Sequence, residues 1–599
     1  MSTKIVFTKS FAELKDALKS IGGIWNESQP SKKVLRLDGG VMTWFESTGS
    51  LQFQGKEPSR DALEGKVKSI LNPEIYTVVQ KRPMVEFNPP KPSTLTTPVN
   101  KQSQAVAQYL QDKFSESEVV LGIVSAVGTD SNRVITPFEN RIRSFGYNVK
   151  IIRVSELLPV QVPASASEYD RIKTLMAAGD TLREGSGRNS ILAAGIASRI
   201  KSLRDPSKPK TAFIINSLKH PEEVELLRRI YGEVFFLVGI HAGEKRRLSY
   251  LQEDRGLTSD QAAELTRIDE DEDVAHGQRT RDTFHLSDFF INLGKNDDQV
   301  KHTVTRFLEL IFAHPYRNPT FDEFAMFMAF CSSIRSGDLS RQVGAIVARE
   351  KQILATGANE CPAFKGGHYW AEVDPLSGEV KDRPEGKDYK WEFDSNRAEQ
   401  REIIKEIIHN ASQLPEISET VKNGLEAILN KSRIKDLTEF GRVVHAEMAA
   451  LLSCARAGIP TREAVLFCTT FPCHNCAKHI IDAGIVRVVY VEPYPKSKAL
   501  ELHDDSIELR TKLDEKISET KVTFEPFTGV GARRFLDLFS MSLGAGSKLK
   551  RKERDGSIVD WKPENARVRI PMLPMAYRDS ETEAESLFHS VTKGLKSKA

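Results

Sequence analysis

The chain has 599 residues, more than one hydrophobic core organises, so several domains are expected. Its 40% hydrophobic and 28% charged content is globular, and a formal net charge of +3 is too near balance to argue for nucleic acid or an anionic membrane as a partner. No apolar run approaches the ~20 residues of a membrane span, the opening MSTKIVFTKSFAELKDALKSIGG lacks an export signal's apolar core, and six cysteines are too few for a disulfide framework. A cytoplasmic setting with no membrane partner is expected, where paired cysteines bind metal or do chemistry.

Residues 1–80 read as a small α+β accessory domain. FAELKDALKSI has helical period, and KKVLRLDGGVMTWFESTGSLQFQG alternates like strands joined by glycine turns. Proline, threonine, serine and asparagine without periodicity mark 83–105 as a linker. From 106 to 300, apolar runs rich in β-branched and aromatic residues (VVLGIVSAV, YNVKIIRV, TAFIINS, EVFFLVGI) alternate with amphipathic stretches such as PEEVELLRRIY. Buried strands with helical crossovers predict a parallel sheet covered on both faces. A second α/β region is expected over 301–545, and 546–599 reads as a charged, loosely ordered tail that packs back on the body. The fold class is α/β.

Within 301–545, VVHAEMAALL has the rhythm of a helix, yet His445 and Glu447 stand two residues apart at its start. Further on, TTFPCHNCAKHIIDAGIVRVVYVEPY carries Cys473 and Cys476 just after Pro472, which suits the first turn of a helix. Unpaired N–H groups and the positive dipole end at a helix N-terminus favour thiolates, as a metal ligand requires. A catalytic zinc takes three protein ligands and keeps a fourth position for water. His445, Cys473 and Cys476 supply that set, and Glu447 is left over to take a proton from the water and return it to a leaving group. Blander readings compete: a redox Cys-x-x-Cys, a surface His-Ala-Glu cap, or a four-ligand structural site completed by His474, His479 or Cys468. The order and separation of the half-motifs, H-x-E then P-C-x-x-C, favour the catalytic reading. In this the chain resembles the zinc-dependent nucleobase deaminases.

The resemblance widens upstream. FMAFCSSIRSGDLSRQVGAIVAREKQILATGANECPAF, residues 327–364, is similar to the opening helix and first two strands of deoxycytidylate deaminases. That likeness implies a three-layer cytidine-deaminase-like domain in which Asn359 binds the deoxyribose and Arg341 lies near the phosphate. Taken alone, Asn359 would be a turn residue and Arg341 a solvated charge. The chain departs from the compact family by placing 80 residues between ANECPAF and HAE, a segment expected to cover the mouth of the pocket. The implied chemistry is hydrolytic: zinc lowers the pKa of its water, Glu447 moves protons, and cytosine becomes uracil with loss of ammonia. The near-neutral charge and the lack of an obvious basic, aromatic-laced groove favour a free nucleotide over a polynucleotide.

GIVSAVGTDSNRV, residues 122–134, holds the strand–turn–helix place of a phosphate-binding loop, with Gly122, Gly128, Thr129 and Ser131 as candidate nucleotide contacts. It lacks the loop's Gly-Lys-Ser/Thr end, and Asp130 would repel phosphate. Asn216 stands where an acidic metal partner is wanted, and Lys245, Arg246, Arg247 and Arg255 are like a kinase's basic lid or a solvated helix face. The region resembles a degenerate P-loop kinase that binds or senses a nucleotide, or merely packs. Joined to the deaminase-like region it resembles, over about 118–545, the bacterial anti-phage dCTP deaminases. That resemblance implies conversion of dCTP or dCMP to the uracil form as antiviral defence, control by a regulatory nucleotide or an inhibitory RNA, and a homo-oligomer. The rival readings are a housekeeping dCMP deaminase feeding thymidylate synthesis and a nucleotide-binding regulator whose zinc is structural.

Overall fold

The computed structural model describes residues 4–7, 9–29, 32–46, 48–71, 76–79, 101–111, 113–270, 276–294, 296–414, 418–437, 439–493, 497–510 and 519–596. They fall into two compact units, residues 1–99 and 100–599. Among the described residues no helix is long and apolar enough to cross a membrane.

The first unit is an antiparallel sheet in the spatial order Ile24–Asn26, Lys32–Leu37, Gly40–Phe45, Ser50–Gln54, Lys4–Phe7, Tyr76–Val79. Asp38 and Gly39 both take positive φ, 48° and 81°, the backbone that a two-residue hairpin needs. Ser10 and Glu13 form a capping box that starts the helix Phe11–Ala17. That helix and Ser59–Ile70 press Leu14, Leu63 and Val67 onto Leu35, Met42, Trp44 and Leu51. Of the segment expected as a linker, 83–100 lies outside the described residues, and 101–105 opens the helix Lys101–Leu110.

The second unit holds two larger sheets. One has the order Asn148–Arg153, Thr211–Leu218, Val119–Ser125, Phe235–His241, Phe289–Asn292, all parallel, with Gly529–Val530 added antiparallel at the edge. Helices Asn132–Ser144 and Asp297–Ile311 cover one face. Helices Ile191–Leu203 and Pro221–Tyr231 cover the other, which explains why Val119–Ser125 is buried at every position. Gly122 lies inside that strand, where a Cβ would stand 2.8 Å from Leu218 and 2.9 Å from Phe235. Its lack of a side chain serves sheet packing, and the expectation that it belongs to a ligand-binding loop is corrected.

The other sheet runs Gln352–Ala358, Gly344–Arg349, Val465–Thr470, Arg487–Glu492, Val522–Pro526, Ile507–Leu509. Gly344–Arg349 runs antiparallel to both of its neighbours and the last four strands are parallel, so the sheet is mixed. Phe321–Ser333 packs on one face, and Ala446–Arg456 with His474–Asp482 on the other. Gly357 lets the helix Ala446–Arg456 lie close, since a Cβ there would sit 2.1 Å from the Ala446 carbonyl oxygen.

The tail packs back on the body as expected, but over its described residues, up to 596, it does so as regular structure and not loosely. Helix Arg578–Lys596 packs on Ile191–Leu203 and contributes Ala584 and Phe588 to that core. Tyr577, Glu581, Ala584 and Phe588 share one helical face, a spacing that the surrounding charges obscure.

Candidate active site

Two helix N-termini meet on one face of the mixed sheet. His445 is the extended N-cap of Ala446–Arg456, and Cys473 is the extended N-cap of His474–Asp482, with Cys476 in its first turn. Neither cap makes a side-chain capping bond, so imidazole and thiol stay free to point at each other. His445 Nδ1 lies 3.4 Å from Cys473 Sγ and 3.4 Å from Cys476 Sγ. The three ligand atoms fall within 4.8 Å of one another, and among the described residues no fourth His, Cys, Asp or Glu joins them. His474, His479 and Cys468, the residues considered for a four-ligand structural site, stay outside.

The groups hold one another's protons. The Cys473 thiol is pulled down to about 4, first by the hydrogen bond from Cys476 and then by the imidazole, whose own pKa rises to about 9 through that bond. Cys476 moves up because its proton is held by Cys473. A donor set of one imidazole nitrogen and two sulfurs suits zinc, and the 3.4 Å separations approach the ~3.6 Å edge of a tetrahedron with ordinary Zn–N and Zn–S bonds.

Glu447 is buried beside this cluster without belonging to it, and burial pushes its carboxyl pKa up. The thiol of Cys468, on the strand beneath, bonds to that carboxyl. His445, Glu447 and Cys473 open into a cavity of about 780 Å³ that also reaches Asn359 and Arg341. The Asn359 amide clamps a turn, donating to the Arg341 carbonyl at 2.8 Å and accepting from Val343 N–H at 2.7 Å. Arg341 is half exposed, with its guanidinium 3.5 Å from Glu492.

The inserted segment supplies much of the remaining wall, through Asp388, Asp394, Arg433 and Arg442. It is held down by a buried ion pair between Lys387 and Glu360, the residue next to Asn359. Arg335, outside the segment, stacks on its Trp370 at 4.1 Å and adds to the grip, while Arg442 over Trp391 at 3.8 Å ties the segment's end to its own middle. Sequence reasoning missed these residues; the one signal was the run of aromatic and charged residues in DYKWEF.

The second candidate region separates from the first. Gly128 takes φ +79° in the turn after Val119–Ser125, against the Arg247 carbonyl. Ser131 Oγ lies 3.4 Å from Asn216 Oδ1, and Thr129 Oγ1 is buried without a partner. Arg247 is buried and donates to the Val127 carbonyl, while Arg255 stacks on Tyr250, so neither is a plain solvated charge.

Residues 319–492 match the cytidine and deoxycytidylate deaminase zinc-binding region. The chain is 49% identical over 53 residues to ComE operon protein 2 of Bacillus subtilis, covering 9% of this chain and 28% of that one. It is 29% identical over 174 residues to the deoxycytidylate deaminase of Enterobacteria phage T2, covering 28% and 79%. To the deoxycytidylate deaminase of Saccharomyces cerevisiae it is 22% identical over 293 residues, covering 47% and 75%. The chain thus spans under a third of the first relative and about three quarters of the other two. Residues 319–492 thus match a zinc-binding region of deaminases, and His445, Cys473 and Cys476 within them are the groups that could hold the metal.

Proposed function

We propose that this chain removes the 4-amino group of deoxycytidine nucleotides, dCMP, dCTP or both, by zinc-dependent hydrolysis. The observation that carries the reading is Glu447: a buried carboxyl beside three mutually directed ligand groups and outside their number. Zinc held by His445, Cys473 and Cys476 would supply a water activated at neutral pH. Glu447 accepts one proton of that water and delivers it to N3 of the ring, then takes the proton of the new C4 hydroxyl and gives it to the departing amine. Water adds at C4, the C4–N bond breaks, and the products are the uracil nucleotide and ammonia. A carboxyl whose pKa is raised by burial is suited to carrying a proton in both directions. Asn359 and Arg341 line the cavity and are proposed to meet the sugar and phosphate, and the inserted segment contributes Asp388, Asp394, Arg433 and Arg442 to the same wall.

The physiological reading is depletion of dCTP as defence against phage, by a soluble cytoplasmic homo-oligomer whose activity is held in check by a nucleotide or an inhibitory RNA. It is supported by the fusion of the deaminase region to a degenerate kinase-like region and a small N-terminal unit, which a housekeeping enzyme for thymidylate supply does not require. The proposed organisation is an accessory domain over 1–80, a linker over 83–105, a kinase-like domain over 106–300, a deaminase domain over 301–545 and a C-terminal segment over 546–599.

A panel of cytosine substrates tests the activity, each assayed for ammonia with and without added NTPs and dNTPs. dCMP or dCTP should be converted faster than deoxycytidine, single-stranded DNA or RNA. Faster conversion of a polynucleotide would overturn the substrate class. Zinc-loaded protein inert on every member, activators included, would leave a binding protein with structural zinc.

A further inference from the structure

Both α-helices of the first unit press on the sheet face of Leu35, Met42 and Trp44, which leaves the opposite face without a helix among the described residues. Strand register fixes what that bare face presents. Ile24, Arg36, Val41 and Gln54 stand in one row across four strands. Asn26, Val34, Thr43 and Gln52 form the next row, and Lys32 stands opposite Phe45 in a third. We infer that this face is a binding surface for single-stranded nucleic acid.

Charge gives the first argument. The near-neutral total of the chain hides a local excess: residues 1–99 hold 14 Lys and Arg against 10 Asp and Glu, a net +4, while the whole chain is +3. The three rows contain no acidic residue. Among the described residues neither Lys32 nor Arg36 pairs with a carboxylate, whereas Lys15, Lys66 and Lys68 on the helix side are held by Glu27, Asp38 and Glu64. Two free cations on a surface without carboxylates suit phosphate groups.

The uncharged side chains say what carries those phosphates. Gln52 and Gln54 are exposed, and among the described residues their amides bind no other group. An amide both donates and accepts, as the edge of a base requires. Phe45 is half-buried beside Lys32, an aromatic ring with a cation next to it. Open sheet faces hold single strands in this way, with bases stacked on rings and backbone phosphates on neighbouring cations.

Other occupants fit less well. The apolar residues of the face are interleaved with Arg36, Thr43, Gln52 and Gln54, which breaks up the patch a protein partner needs. An anionic membrane calls for a denser run of cations than two. The exposed rings of Trp370 and Phe393 make a useful contrast. They lie in residues 365–444, where 16 Asp and Glu outnumber 13 Lys and Arg, so that aromatic surface repels a polyanion.

The test is fluorescence anisotropy of the full chain with labelled oligo-dT and oligo-U of ~16 nucleotides, enough to fill one such site, and with oligo-dT paired to oligo-dA. No probe holds a cytosine, so the outcome is independent of the deaminase reading. At least one single strand should bind, more tightly than the duplex, and the tighter of the two identifies the source as DNA or RNA. Lys32→Glu with Arg36→Glu should weaken binding about tenfold or more and make the slope of log K against log salt shallower by about 1.4, as loss of both phosphate contacts requires. Gln54→Leu should weaken binding and leave that slope unchanged. Lys15→Glu with Lys68→Glu makes the same change of net charge on the helix side and should leave the affinity as it was. The inference is overturned if neither strand binds, if the duplex binds as tightly, or if the helix-side pair costs as much as the sheet-side pair. It is also overturned if no strand binds and the sheet-side pair alters sedimentation of the chain, since the face is then a contact between copies.

Discussion

Replacing Glu447 with alanine removes the proton carrier and leaves His445, Cys473 and Cys476 in place. Ammonia release is expected to fall ~10²–10⁴-fold, with zinc content by metal analysis unchanged. Loss of zinc from that variant would make the carboxylate a ligand and end the catalytic reading. His241 makes a prediction far from this chemistry. Its Nε2 is buried without a partner, and burial, with the Arg247 guanidinium beside it, lowers its pKa to about 4. The folded pKa lies below the unfolded ~6.5, so the stability is present above pH 6.5 and is lost as pH falls toward 4. Between pH 7 and pH 5 the loss should be on the order of 2 kcal/mol, read as a drop in urea midpoint that His241→Gln reduces. The contrast shows what a sequence reveals at this scale. Two helix starts fix the spacing of His445, Glu447, Cys473 and Cys476, so the cluster is legible. Arg442 over Trp391 joins positions distant in the chain and without period.

At the scale of elements, the inserted segment hangs on few attachments. Lys387 donates to Glu360 Oε2, which also accepts from Gly337 N–H at 3.0 Å, while Oε1 accepts from Cys361 N–H at 2.9 Å. Glu360 is fully buried, so Lys387→Met leaves an uncompensated carboxylate, at a cost of about 3–5 kcal/mol. The segment around Asp388 and Asp394 should loosen, seen as faster hydrogen exchange there and a raised KM for the nucleotide. Adding Glu360→Gln should recover most of the loss; slow exchange in the single variant would show that Arg335 stacked on Trp370 suffices. Such anchors are invisible in sequence because a buried charge pair looks like any surface pair. Regular elements are easier to read. Capping boxes such as Thr320 with Glu323 and Asn296 with Gln299 announce their helices, whereas Gly529–Val530 is too short to carry a pattern and exists because an edge strand accepts it.

For the whole molecule, the consequence is that the chain's last helix belongs to the parallel sheet that forms early in the sequence. Glu581 is fully buried and binds Arg204, which also holds Glu118 beside the Tyr577 hydroxyl. The unit's core thus spans residues from 118 to 588 and cannot close until the deaminase region has been made. Gly195 lets this be tested by a single methyl group. In an exposed helix, glycine to alanine stabilises by about 1 kcal/mol. Here a Cβ would lie 2.6 Å from the Phe588 ring, itself buried in the core. The sign should therefore reverse: Gly195→Ala lowers the urea midpoint by displacing the terminal helix, and adding Phe588→Leu restores part of it by freeing the contact. Limited proteolysis should cut within Arg578–Lys596 in the single variant and spare it in the parent. If Gly195→Ala stabilises the chain, or if the double variant is no better than the single one, the terminal helix is an appendage, and the deaminase region does not depend on it for its fold.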